Sequence, residues 1–161
     1  RALIFNIFLT VMPKSKNIVK FRTADITFTI HATENDDLLI STISKNLGLF
    51  SKEFQIKDYL GHYENQVKIV RMHILSDRII PFTNHLFNSL SVSDRKNLFN
   101  DLPKHLDKHY SFYLRLDKQL LITDIFKISL VDCVRIKLKI DFALQKYNNI
   151  KMIDAYMNLL R

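Results

Sequence analysis

The sequence is poor in the residues from which many sites are built. Cys133 is its single cysteine. That excludes an intramolecular disulfide framework and a multi-cysteine zinc site, and a reducing, cytoplasmic setting is the default expectation. Gly48 and Gly61 are the two glycines, too few for a phosphate-cradling loop or a dinucleotide fingerprint. No cofactor is expected on these grounds. Tryptophan is absent and proline occurs three times, as Pro13, Pro81 and Pro103. The apolar run over residues 2–12, broken by Asn6 and Thr10, falls short of the ~20 residues that cross a bilayer. No small-residue cleavage site follows it, so no membrane partner is expected. What remains is ordinary for a globular protein: 47% hydrophobic and 25% charged residues in a chain of 161. This is one domain's worth at ~100–200 residues per domain, enough to bury one core.

The net charge is +8, and such a balance points to an anionic partner. The charge is unevenly placed. Residues 1–22 carry Arg1, Lys14, Lys16, Lys20 and Arg22 with no acid, residues 23–132 are close to neutral, and residues 133–161 are again basic. The organisation expected is a basic and apolar extension over residues 1–22, followed by one domain over residues 23–161. Within the extension, Met12-Pro13 reads as a natural start, with residues 1–11 added before it. The lysines before residue 23 would form an electrostatic arm.

Hydrophobic periodicity orders the body. Residues 25–31 alternate as a half-buried strand, with Ile26, Phe28 and Ile30 on one side. A helix follows, capped by Thr33 with Asp36 at capping-box spacing and stopped by Gly48. Residues 54–60 alternate again. Residues 61–65 turn into a strand over 67–75, where Val67 and Ile69 fall on one phase and Val70, Met72 and Ile74 on the other. A bulge or a doubly covered stretch explains that slip. Residues 77–90 are helical in period, with Pro81 tolerable only near the first turn. Ser91 or Ser93 caps a further helix that Pro103 disturbs. Residues 111–117 and 134–142 alternate as strands, with a short helix or turn over 118–126 between them and an amphipathic helix over 150–160 at the end. The order β-α-β-β-α-α-β-β-α, with one face of each strand apolar, predicts an α+β domain. It is a two-layer sandwich, with a mostly antiparallel sheet of about five strands and helices on one face.

The uncovered face would then carry Thr27, Thr29, His31, Lys57, Tyr59, Tyr113, Arg115, Lys137 and Lys139. Arg135, Lys137 and Lys139 share one side of one strand, roughly 6.6 Å apart at ~3.3 Å per residue. Successive phosphates of a nucleic-acid strand lie ~6–7 Å apart, a spacing such a stripe can follow, and tyrosines beside it can stack bases. Lysine and arginine also simply keep a sheet face soluble. Cys133 reads as a small core residue.

Three polar clusters stand out: His31-Ala32-Thr33-Glu34, Gly61-His62-Tyr63-Glu64-Asn65, and Tyr113-Leu114-Arg115-Leu116-Asp117-Lys118-Gln119. Their order and content resemble an archaeal family of RNA-binding proteins often described as exosome-related. In that family a His-Ala-Thr-Glu segment ends the first strand, a Gly-His-aromatic-x-Asn turn follows, and a Tyr-Leu-Arg-Leu-Asp-Lys-Gln segment comes later. The turn departs from the family pattern at Glu64 and Gln66, where glycine and proline are usual. The resemblance covers about residues 23–161 and implies a fold like that of large-ribosomal-subunit protein five.

Chemically, Arg115 offers a guanidinium fork, Lys118 a point charge and Gln119 an amide, all suited to phosphates or base edges. Thr33, Glu34 and Asp117 fit equally well an internal polar network, with Asp117 pairing Arg115 or capping the next turn and Glu34 pairing His31. The expected function is non-catalytic RNA binding through Arg115, Lys118, Gln119, Arg135, Lys137, Lys139, His31 and His62. The expected partners are RNA and proteins of an RNA-processing complex, with a homodimer left open. Two other readings stand beside it. One is an assembly module that docks a partner on an apolar patch or sheet edge. The other is an RNA hydrolase using His31 and His62 as acid and base or as weak metal ligands. His105 and His109, four apart, are a further pair to weigh as metal ligands.

Overall fold

A computed structural model describes residues 19–75, 77–141 and 149–161. The sequence-predicted extension over residues 1–11, together with Lys14, Lys16 and Phe142, lies outside these residues. The chain runs β1 (Phe21–His31), α1 (Asp36–Asn46), β2 (Gln55–Leu60), β3 (Gln66–Ile74), α2 (Ile79–Ser89) and α3 (Val92–Asn100). It continues with β4 (Phe112–Asp117), α4 (Lys118–Ile122), β5 (Cys133–Ile140) and α5 (Asn149–Leu160), with single 3-10 turns at Ser51–Glu53 and Leu102–His105. The strands form one antiparallel sheet in the order β2-β3-β1-β5-β4, and the architecture is the two-layer α+β sandwich read from the periodicity.

The strand alternation decides the two faces. Ala24, Ile26, Phe28 and Ile30 of β1 are buried, as are Val134, Ile136, Leu138 and Ile140 of β5 and Phe112, Leu114 and Leu116 of β4. They meet Leu39 and Ile43 of α1, Phe82 and Leu86 of α2, Leu98 of α3, Leu121 of α4 and Met152 and Tyr156 of α5 in one core. Each such aliphatic side chain removed from water contributes about 1.5–3 kcal/mol. Tyr156 anchors α5: its ring lies 5.6 Å from that of Phe112, nearly parallel to it, and its hydroxyl donates to the Tyr110 carbonyl. Burial holds that phenol far above its ordinary pKa, so it stays protonated and keeps donating.

Several local expectations are corrected. β1 begins at Phe21 rather than near residue 25. Its pairing with β5 shifts between Phe21 and Thr23, and this bulge turns Phe21 out of the alternation and onto Phe87 and Tyr156. β3, where a bulge was one explanation for the slipped pattern, pairs in unbroken register on both sides. Val67 and Ile69 are instead half-buried on the open face. The N-cap of α1 is Asn35, which accepts from the Leu38 amide, not Thr33. Glu34 is committed elsewhere, and the chain needs the turn over residues 31–34 before the helix can start. Of the two serines weighed for α3, Ser91 is the cap. Gly48 takes φ +70° just past α1, the left-handed stop expected of it. Glu64 also sits at φ 58°, a conformation that suits glycine, where this chain departs from the family pattern. Cys133 is half-exposed at the start of β5, not in the core, because it falls on the polar phase of that strand.

Candidate nucleic-acid interface

The open face of the sheet places side chains in rows that run across the strands. In one row Gln55 of β2 is opposite Arg71 of β3, and Arg71 is opposite Thr27 of β1. Thr27 is opposite Arg135 of β5, and Arg135 is opposite Arg115 of β4. Three arginines thus stand in one line around a small threonine, all three exposed. In-register neighbours lie ~4.5–5.5 Å apart at Cβ, and two like charges so placed destabilise a sheet. No carboxylate pairs with Arg71, Arg115 or Arg135 among the described residues.

The adjacent row is different. Its cations, and Lys139 in the row beyond, are matched to acids: Lys139, opposite Thr23, bonds Asp25 at 2.9 Å, and Asp25, opposite Lys137, also bonds His73. Lys137 lies 3.7 Å from Asp107, with its ammonium 5.0 Å from the centre of the Tyr113 ring. The Tyr113 hydroxyl, with Asp107 and Asp25 behind it, holds the Lys137 pKa above its usual value against some desolvation. For Asp25, burial pushes the carboxyl up, but bonds from His73 and Lys139 outweigh it and hold it low. Of the expected stripe, Arg135 is therefore unmatched, while Lys137 and Lys139 are paired to carboxylates.

Two hollows border the arginine row. One, of about 530 Å³, has Thr27, Thr29, Ile69, Arg71 and Arg135 on the sheet and residues 130–132 above them. The other, of about 600 Å³, lies where Tyr113 and Arg115 of β4 meet Asn97, Asp101 and His105. Leu130 lines both and is 78% exposed, so the loop before β5 is a crest between them.

At the end of β1 the polar clusters meet. Lys118, expected on the binding surface, is fully buried. Asp117 ends β4 and caps α4 by accepting the Leu120 amide, and the first residue of that helix swings under the sheet end. The Lys118 ammonium donates to the Thr29 carbonyl and Glu34 Oε2, both at 2.8 Å, and lies 2.9 Å from Asp132 Oδ1. Glu34 also accepts the His31 amide and the Gln119 side chain, both at 2.9 Å. Burial acts to raise the Glu34 pKa, but these donors together hold it below the usual carboxylate range. Asp132 is held low in the same way, chiefly by Lys118. The side chain of His31 lies 3.5 Å from Asp132. Thr33 is exposed in the preceding turn. Asp117 thus caps a helix rather than pairing Arg115, and Glu34 takes the backbone of His31 rather than its ring.

His62 is exposed in the β2–β3 turn with its ring against Tyr63, while His31 sits beside Asp132. His105 Nδ1 bonds the Tyr113 carbonyl and its ring stacks on Phe112. No three His, Cys, Asp or Glu side chains are grouped to hold a metal among the described residues, and no described helix is long and apolar enough to cross a membrane.

Sequence reasoning missed two residues here. Arg71 was hidden by the slipped alternation of β3, whose apolar Val67 and Ile69 share its face. Asp132 lies in a loop, and its φ of 44° is a conformation that Asp tolerates better than most residues. An Asp among Leu130, Val131 and Cys133 was the available signal.

The chain is 26% identical over 135 residues to an RNA-binding protein of Pyrococcus abyssi, an alignment covering 80% of this chain and 88% of that protein. Its fold is shared with a DUF54 protein from Methanothermobacter thermautotrophicus (TM-score 0.67, 16% identity, 88% of this chain and 98% of that one). It is shared also with a DUF54 protein from Sulfolobus solfataricus (TM-score 0.67, 20% identity, 86% and 96%). Residues 23–142, which contain four strands whole and β1 from Thr23 onward, match the model of the family described as RNA binding, and the chain belongs to that family.

Proposed function

We propose that this chain is a binding protein rather than an enzyme, and that it holds RNA on the open face of its sheet with Arg71, Arg135 and Arg115. The observation that carries this reading is the in-register row of three arginines without carboxylate partners. A fold keeps such a row against its own electrostatics when an outside anion completes it. Lys137 and Lys139 extend the surface along β5, and Gln119, His31 and His62 flank it. Lys118 acts from beneath, fixing the end of β1 and the start of α4 so that the face above keeps its shape. Lys20 and the lysines that precede it in the sequence serve as the electrostatic arm.

The test is fluorescence anisotropy of a labelled single-stranded RNA titrated with the protein across a salt series. Affinity should fall steeply with salt, and Arg115→Gln and Arg135→Gln should each flatten the log–log slope by about 1. A wild-type protein that binds no RNA at low salt defeats the reading.

The finer placement follows from the family resemblance: a cytoplasmic protein of an RNA-processing, exosome-related assembly, with a fold akin to large-ribosomal-subunit protein five. One observation favours a protein partner as well. Every residue of edge strand β2 is exposed, Leu60 at 77% and Ile56 at 48%, and such an edge accepts a strand from another protein or from a second copy of the chain. A complex recovered intact after RNase treatment supports that docking; one that dissolves leaves RNA as the link.

A further inference from the structure

The hollow beside β4 contains more chemistry than phosphate binding needs. Segments on both sides define it. Leu106 bridges to Phe112, and Leu116 bridges to Ile128, so both ends of the β4 edge are covered. Tyr113 and Arg115 in the middle open onto a space of about 600 Å³. That is within the range of small-molecule pockets, ~300–1,000 Å³, and ample for one nucleobase.

The polar lining sets acceptors on one wall, at His105, Asp101 and Asn97, beside the cations Lys104 and Arg115. His105 Nδ1 is 3.0 Å from the Tyr113 carbonyl oxygen. A carbonyl only accepts, so Nδ1 carries the proton and the neutral ring leaves Nε2 as an acceptor. The Asp101 carboxylate receives the Lys104 ammonium at Oδ1, which leaves its second oxygen to accept from another donor. Asn97 adds an amide that both gives and takes. The strong donor at the sheet side is the Arg115 guanidinium. The Tyr113 ring, with the Lys137 ammonium over it, supplies the aromatic surface on which an unpaired base stacks.

Guanine is the base that fits this set. Its Watson–Crick edge presents the adjacent N1–H and N2–H donors that a carboxylate and an imidazole acceptor want. Its O6 and N7 form the acceptor pair that an arginine fork reads. Adenine and uracil lack that paired donor edge. The crest at Leu130 separates this hollow from the arginine row's other half. A single strand can bend over such a crest and turn a base down beside β4, whereas a stiff, wide duplex cannot.

Resting on the reading that the open face binds RNA, we infer that the hollow lined by Asn97, Asp101, His105, Tyr113 and Arg115 is a nucleobase subsite that selects guanine in single-stranded RNA. The strand lies along the arginine row, with one guanine leaving it at the β4 edge.

The experiment uses the full chain and labelled eight-nucleotide RNAs at fixed moderate salt: all-uridine, and the same strand with one central guanosine, adenosine or inosine. A duplex carrying the guanosine is measured beside them. The guanosine strand should bind about tenfold tighter than the uridine and adenosine strands, in line with one well-made base contact. Inosine, lacking the N2 amine, should fall between. Asp101→Asn should bring the guanosine strand to within about twofold of the uridine strand, since the amide substitutes a donor for an acceptor at an exposed position that does not threaten the fold. Circular dichroism checks that the variant is folded. Equal binding of all four single strands, together with loss of affinity in Arg115→Gln, overturns the guanine subsite and leaves RNA binding standing. A duplex that binds as tightly as the guanosine strand overturns the single-strand part. No binding of any RNA overturns both readings.

Discussion

Arg115 and Lys118 stand three residues apart in one segment and belong to opposite regimes of electrostatics. Lys118 is buried and satisfied. Its ammonium contacts a carbonyl and two carboxylates, and nothing of it is left for a ligand. Arg115 is exposed and faces another arginine across the strand pair. The first region is self-sufficient, whereas the second sets like charges side by side. Local geometry separates them: Arg115 is on the outward phase of β4, while Asp117 ends that strand and turns the next residue beneath the sheet. A positive charge in a sequence therefore says little about a partner until its matching carboxylates are counted.

The contrast can be broken most forcefully at the buried end. Lys118→Ala should destabilise the protein by about 3–5 kcal/mol, because it leaves Glu34 and Asp132 crowded without their counter-ion. Urea unfolding followed by circular dichroism reads this as a lower midpoint. Lys118→Met keeps the volume and should lose less, since it leaves no cavity at this fully buried position. At the open end the pattern reverses. The double variant Arg115→Gln/Arg135→Gln should lose roughly ten- to a hundredfold in RNA affinity at moderate salt, while its unfolding midpoint stays or rises slightly as a like-charged pair is removed.

Acid sharpens the same distinction with a smaller effect. The folded-state pKa values of Glu34 and Asp132 are depressed. Their contribution is therefore complete above the ordinary carboxylate pKa and is lost as pH falls through the depressed values. Stability measured from pH 6 downward should decline in that window, and Lys118→Met should flatten the decline. The smallest effect belongs to the paired cations. Lys139→Ala breaks a half-exposed contact with Asp25 and should shift stability by about 1 kcal/mol or less.

The fold was legible because strand alternation at Ile26, Phe28 and Ile30, and again from Val134 to Ile140, reports directly which face is buried. Helix limits were legible where a stop residue such as Gly48 stood alone, and open where two caps competed, as at Ser91 and Ser93. The charge network was less so. Lys118 was read as a surface charge because periodicity says nothing about a residue at a strand-to-helix corner. Its partners Glu34 and Asp132 are far away in the chain, and Asp132 sits in a loop with no period at all. Arg71 was obscured for a different reason: apolar Val67 and Ile69 on the open face blurred the phase that would have marked it as outward. The arginine row is a property of register between strands, which no single strand's pattern contains.

The strand order has a consequence for how the protein comes into being. β1 lies at the centre of the sheet, and one of its two neighbours is β5, so Ile26 waits for Ile136. Contacts this distant along a chain form late and slowly. During synthesis β1 and β3 can pair as soon as residue 74 is available, which exposes Arg71 alone. Arg135 and Arg115 join it only after β5 has slotted between β1 and β4. A partly made chain therefore carries one arginine on this face where the finished one carries three, and the row is assembled only once the core beneath is closed.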